Sequence, residues 1–234
     1  MGKLITALLT AILLIISSVG AAGALEDASK AYASGDYAKA AKLNKLAAAQ
    51  GFAQAQYNLG IMYANGQGVV KNDVEAVKWY KLAAAQGDVM AQLNLGGMYA
   101  NGQGVVKNDV EAVKWYKLAA AQGFAQAQSN LGIMYAEGEG VVENDVEAVK
   151  WYKLAAAQGF AQAQSNLGIM CAKGEGVVQD YVVAHMWSNL AAAQGNAKAI
   201  EFRALIEELI TPQQIAEAQK LARECLAKKY KGCY

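Results

Sequence analysis

An all-α array of stacked helix pairs is the fold this sequence predicts, and three observations carry it. Gly51, Gly87, Gly123, Gly159 and Gly195 recur every 36 residues, in step with Leu59, Leu95, Leu131 and Leu167 and with Trp79, Trp115, Trp151 and Trp187. A fixed period in this range marks units that cannot bury an apolar face alone and must stack. The chain of 234 residues holds a single Pro, which favours helix over loop. Alanine runs such as AAAQG favour helix as well, since Ala has the best intrinsic helix propensity.

Taken in order, residues 1–24 read as a signal peptide. Lys3 supplies a short positive start, Leu4 to Ile16 form a largely apolar stretch of 13 residues, and small residues follow. That stretch is short for a membrane span, which needs about 20 apolar residues. Ala22-Gly23-Ala24 has the form of a signal-peptidase site with cleavage before Leu25, and Val19-Gly20-Ala21 is the alternative. An uncleaved anchor is the competing reading. Cleavage predicts a periplasmic or secreted protein with no stable membrane insertion.

Lys3 is the only charged residue of that segment, so the remainder carries 20 basic and 20 acidic residues. No basic block is wide enough to neutralise a nucleic-acid backbone, which excludes nucleic acid as the expected partner. A monomer is expected.

Residues 52–87, 88–123, 124–159 and 160–195 are four near-identical units of two helices each. In the first, AQAQYNLGIMYA places Ala55, Leu59, Met62 and Tyr63 on one helical stripe and ends at Asn65-Gly66. The second helix starts at Asn72, an N-cap, with Glu75 where a capping box wants it. Its apolar stripe uses Val77, Tyr80 and Ala84, with Ala76, Trp79 and Ala83 alongside, and Gly87 closes it. The string AQYNLGIMYANGQGVVKND, followed by EAVKWYKLAAAQG, resembles the Sel1-like repeat, a relative of the tetratricopeptide repeat. The resemblance covers four full copies. It implies a right-handed α-solenoid of stacked helix pairs that serves as a protein-interaction scaffold.

Residues 25–51 read as an N-terminal capping pair with the shorter turn of an ordinary tetratricopeptide repeat, Asp36 falling where Asn72 falls. Residues 196–234 read as two capping helices. The second opens at Thr211, with Pro212 in its first turn and Gln214 completing a capping box. This segment is similar to the closing segment of bacterial Sel1-repeat proteins, and terminal units must shield the last apolar face.

Residues that could carry chemistry are few. The Gly-x-Gly loop lacks the Lys-Ser/Thr of a phosphate loop and follows a helix rather than a strand, so Gly66 and Gly68 are expected to make a turn with a valine tucked between helices. His185, the only His, stands where other copies have Val77, Val113 and Val149, and is expected to pack. No catalytic residue, metal ligand or cofactor site is expected. Cys171 replaces a repeating Tyr and is expected to be buried and inert. Cys225 and Cys233 would lie about 12 Å apart on one continuous helix, too far to bridge. A turn at Gly232 would let them pair in an oxidising compartment, and free thiols or an intermolecular bridge are the other readings.

A partner is expected where the copies differ along the first helix of each pair. Those positions are Tyr57, Ile61 and Asn65; Met90, Leu93 and Asn101; Ser129 and Glu137; and Ser165 and Lys173. The same differences could arise by drift after duplication. The expected partner is a protein or peptide, and no catalysis is expected. An envelope enzyme of β-lactamase type, by analogy with a cysteine-rich branch of the family, and a secreted effector acting on a host protein are the alternatives.

Overall fold

The computed structural model describes residues 23–233. Residues 1–22, which carry most of the expected signal peptide, lie outside them. No helix among the described residues is long and apolar enough to cross a membrane. The described chain is helical throughout, with no strand among the described residues, and falls into two compact units divided after Asn108.

The first unit holds α1 (23–33), α2 (Tyr37–Ala49), α3 (Ala53–Asn65), α4 (Asp73–Ala85) and α5 (Val89–Asn101). From α2 onward, each helix packs on the next. Ala31 of α1, Ala40 and Ala41 of α2 and Met62 of α3 share one buried cluster, and Val69 tucks against it. Leu59 and Leu95 are completely buried, each contributing about 1.5–3 kcal/mol by leaving water.

The second unit holds α6 (Asp109–Ala121), α7 (Ala125–Glu137), α8 (Asp145–Ala156), α9 (Ala161–Lys173), α10 (Tyr181–Ala193), α11 (Ala197–Glu207) and α12 (Pro212–Ala227). Successive helices pack in pairs through α11, and α12 returns to cover α10. That cover explains why α10 buries Val183 to Ser188 without a break, while α8 buries only one stripe.

Helix starts follow the sequence closely. Side chains of Asp36, Asn72, Asn144, Asp180 and Thr211 each accept from a backbone N–H three residues on. At Thr211 the box is reciprocal, Gln214 Oε1 accepting from the Thr211 N–H at 2.9 Å. At Asn72 the box is only half formed, which corrects the sequence reading. Glu75 pairs with Lys78, and the Asn72 N–H donates to the Tyr63 carbonyl at 2.9 Å.

That bond closes the inserted loop, and its two glycines have different reasons to be there. Gly66 ends α3 in the left-handed region (φ +71°) with its N–H on the Met62 carbonyl. Gly68 (φ +68°) is pressed against a backbone, because a Cβ there would fall 2.0 Å from the Tyr37 carbonyl oxygen at the start of α2. The loops at Gly104, Gly140 and Gly176 seat in the same way on Asp73, Asp109 and Asp145. Each loop therefore rests on the first turn of the second helix of the preceding pair.

A row of buried glutamines joins the pairs from the other side. Gln56, Gln92, Gln128 and Gln164 donate to the carbonyls of Ala48, Ala84, Ala120 and Ala156 in the preceding pair, at 3.1–3.2 Å. Gln86, Gln158 and Gln194 in turn donate to Gln56, Gln128 and Gln164 at 2.7–2.9 Å. A buried amide left unpaired costs about 1–3 kcal/mol, so these contacts set the register between neighbours.

After α12 the chain turns back. Lys229, Tyr230 and Gly232 adopt positive φ, the Tyr230 ring lies against Gly159, and Cys225 is joined to Cys233 with Cα atoms 5.2 Å apart. The turn uses two non-glycine residues besides the expected Gly232. Intact mass with and without reduction is expected to differ by about two hydrogens for a bridge of this geometry. An unchanged mass would remove the bond.

Candidate functional site

Positions 57, 61 and 65 of α3 step by four residues, and each such step turns about 40° past a full helical turn. The row therefore crosses the helix face instead of running straight along it. Its last member is exposed in every copy: Asn65, Asn101, Glu137 and Lys173. Its first member points inward. Leu93 is 6 % exposed, and Ser129 and Ser165 are fully covered, so these three do not present side chains to a partner, contrary to the sequence reading. Tyr57 fills the same slot but is too large for it and remains half-exposed, with its ring 6.0 Å from that of Tyr80. Ile61 and Met90 are also half-exposed.

Each unit opens a cleft on this face. In the first unit a cavity of about 240 Å³ is lined by Tyr32, Asn44, Asn58 and Ile61, with Ala28 and Ser29 of α1. Asn58 donates to Asn44 at 3.2 Å, and the Tyr32 hydroxyl donates to Gln67 at 2.9 Å. One repeat on, at the counterpart of Asn58, Asn94 bonds the hydroxyls of Tyr57 and Tyr80, and burial pushes the Tyr80 phenol up to about 12.

The cleft of the second unit is larger, about 400 Å³, with Ile133, Ile169 and Met170 among its apolar walls and Gln162 and Asn166 among its amides. Its charged lining is Glu137, Glu143, Asp145 and Glu175 with Lys173 and Lys198. Lys173 and Glu175 pair at 3.3 Å. Tyr152 bonds Asn166, and burial raises its phenol, with the Glu137 charge adding to the effect.

The asparagines at 58, 94, 130 and 166 fall outside the sequence expectation, which rests on positions that vary among the copies. The available signal was their presence in all four copies at one helical position, and in three of them the amide bonds a buried phenol, that of Tyr80, Tyr116 or Tyr152.

Elsewhere, His185 does pack, being fully buried, and it also hydrogen-bonds Glu207 of α11 at 2.9 Å. Glu207 also meets Arg203, whose guanidinium bonds Asn189 of α10 at 2.9 Å, so this group ties the cap to the last full pair. Cys171 is buried, which raises its thiol to about 11 and leaves it unreactive. Among the described residues no group of three or more His, Cys, Asp or Glu could hold a metal ion.

Comparison with known proteins bears on this arrangement directly. The Sel1 repeat matches residues 53–88, 89–124, 125–160 and 161–196, a frame one residue later than that read from the sequence. Among solved structures, a protective antigen of uropathogenic Escherichia coli displaying an SLR fold is similar, with a TM-score of 0.72 and 36% identity. That similarity covers 84% of this chain and 43% of the antigen, so the chain spans less than half of the antigen's length. A Sel1 repeat protein from Oxalobacter formigenes has a TM-score of 0.70 and 34% identity, covering 80% of this chain and 79% of that one. No curated protein matches.

Proposed function

The chain belongs to the Sel1 repeat family, and from that premise we propose that it is an exported, non-catalytic scaffold that holds a protein segment on the first-helix faces of its repeats. The observation that carries this reading is the cleft in each unit, walled by half-exposed apolar residues and by side-chain amides. Amides at fixed spacing can donate to and accept from an extended backbone, and the apolar walls can take alternate side chains. The first cleft suits a neutral polar segment and the second a segment of mixed charge. Export is supported by the leader pattern and by the Cys225–Cys233 bridge, which is at home in an oxidising compartment.

Cross-linking in intact cells, followed by identification of the captured protein and titration with that protein purified, tests the reading. Ile61→Glu combined with Tyr32→Ala is expected to weaken binding at least about tenfold, the scale of a central contact, with helical content unchanged. Equal affinity for the variant would rule out the first-helix face. Fractionation tests export, with the mature protein expected outside the cytoplasm and beginning at Leu25.

A further inference from the structure

The inserted loops carry an apolar residue that the fold does not use. Where Val69 tucks inward, its neighbour Val70 is 88% exposed, as are Val106 and Val142, with Val178 at 86%. The next helix opens with another exposed valine, Val74, Val110 or Val146. Because Gly104 seats on Asp73 within the first unit, and Gly140 and Gly176 seat on Asp109 and Asp145 within the second, exposed valines form a row along the loop edge of each unit. Contiguous apolar surface rimmed by charge marks an interaction site.

The rims differ in sign. Following the exposed valine stand Lys71 and Lys107 in the first unit and Glu143 and the neutral Gln179 in the second. Two residues into the loop, Gln67 and Gln103 give way to Glu139 and Glu175. One backbone design thus presents the same valine spacing twice, once beside lysines and once beside glutamates. Two such edges can meet in register, valine on valine, with opposite charges facing.

We propose that these edges are complementary surfaces through which two copies of this chain associate, the first-unit edge of one against the second-unit edge of the other. This departs from the monomer expected from the sequence. Glu143 and Glu175 also line the second cleft, whereas Lys71 and Lys107 line neither cleft, so the lysine reversal is the arm that leaves both cleft linings unchanged. The valines supply the apolar contact. The charges set which edge meets which, since like charges across an interface are strongly disfavoured.

Sedimentation velocity over a concentration series tests the proposal with loop substitutions, and at one of the positions used the copies themselves carry Lys71, Lys107 and Glu143. Wild type is expected to associate reversibly, and less so as salt rises. K71E with K107E is expected to weaken association at least about tenfold. E143K with E139K should do the same. Mixing the two variants should restore a contact between them, and V142S with V178S should weaken association at unchanged charge. A wild type that stays monomeric throughout the series would overturn the proposal. So would association that survives the lysine reversal, or mixed variants that fail to pair.

Discussion

Replacing Trp187 by Ala is expected to lower the unfolding free energy by about 3–5 kcal/mol, the range for emptying a buried aromatic slot. Trp187 is 2% exposed and belongs to the buried cluster formed by α8, α9, α10, α11 and α12, which also holds Leu167, Met170, Met186, Leu190 and Ile206. Trp151, the corresponding residue of α8, is only half-buried, so Trp151→Ala should cost clearly less. The sequence treats these tryptophans as equals, and the difference arises because α12 folds back over α10. Urea denaturation followed by far-ultraviolet circular dichroism measures both variants. Repeat arrays can unfold in parts, so the loss should appear first in a transition of the second unit. Equal losses for the two tryptophans would show that α12 does not cover α10 in solution.

The second large effect concerns the loop glycines, and it separates conformational strain from crowding. Gly123 and Gly140 both adopt positive φ, +86° and +68°. A Cβ on Gly123 meets nothing within 4 Å, whereas one on Gly140 falls 2.3 Å from the carbonyl carbon and oxygen of Asp109. Gly123→Ala is therefore expected to cost about 1–2 kcal/mol, the strain of a left-handed residue alone. For Gly140→Ala the loop must also lift off the first turn of α6, and a loss of about 3 kcal/mol or more is expected, at the diagnostic end of single-residue effects. Denaturation midpoints of the paired variants decide the matter. If they coincide, the loop does not rest on the preceding helix start.

Much of the fold could be read from local signals. The period of 36 is written in the sequence itself; the caps at Asp36, Asn72 and Thr211 and the stripe of Ala55, Leu59 and Met62 act within about one or two helical turns, and the structure places them where the sequence does. What escaped depends on distant neighbours. Gln56 reads as a polar surface residue until Ala48 and Gln86 are brought to it. The His185–Glu207 bond spans 22 residues and requires α11 to be laid on α10 first.

The candidate site was legible in part for a related reason. Variation among copies pointed to Glu137 and Lys173, which line the larger cleft, and to Ile61, which lines the smaller. It equally pointed to Leu93, Ser129 and Ser165, which are buried. Variation marks tolerance, and a buried slot that accepts Tyr, Leu or Ser is tolerant without being accessible. The invariant asparagines carried no such mark.

The glutamine contacts between neighbouring pairs have a consequence for how such a protein can change over generations. Gln92 meets Ala84 as Gln128 meets Ala120 and as Gln164 meets Ala156, at nearly the same distance. A whole pair gained or lost by in-frame recombination would join its new neighbours through a junction already present elsewhere in the chain, with no interface to invent. Copy number is thereby released from the demands of stability, and the reach of the proposed binding face becomes a quantity that selection can adjust one repeat at a time.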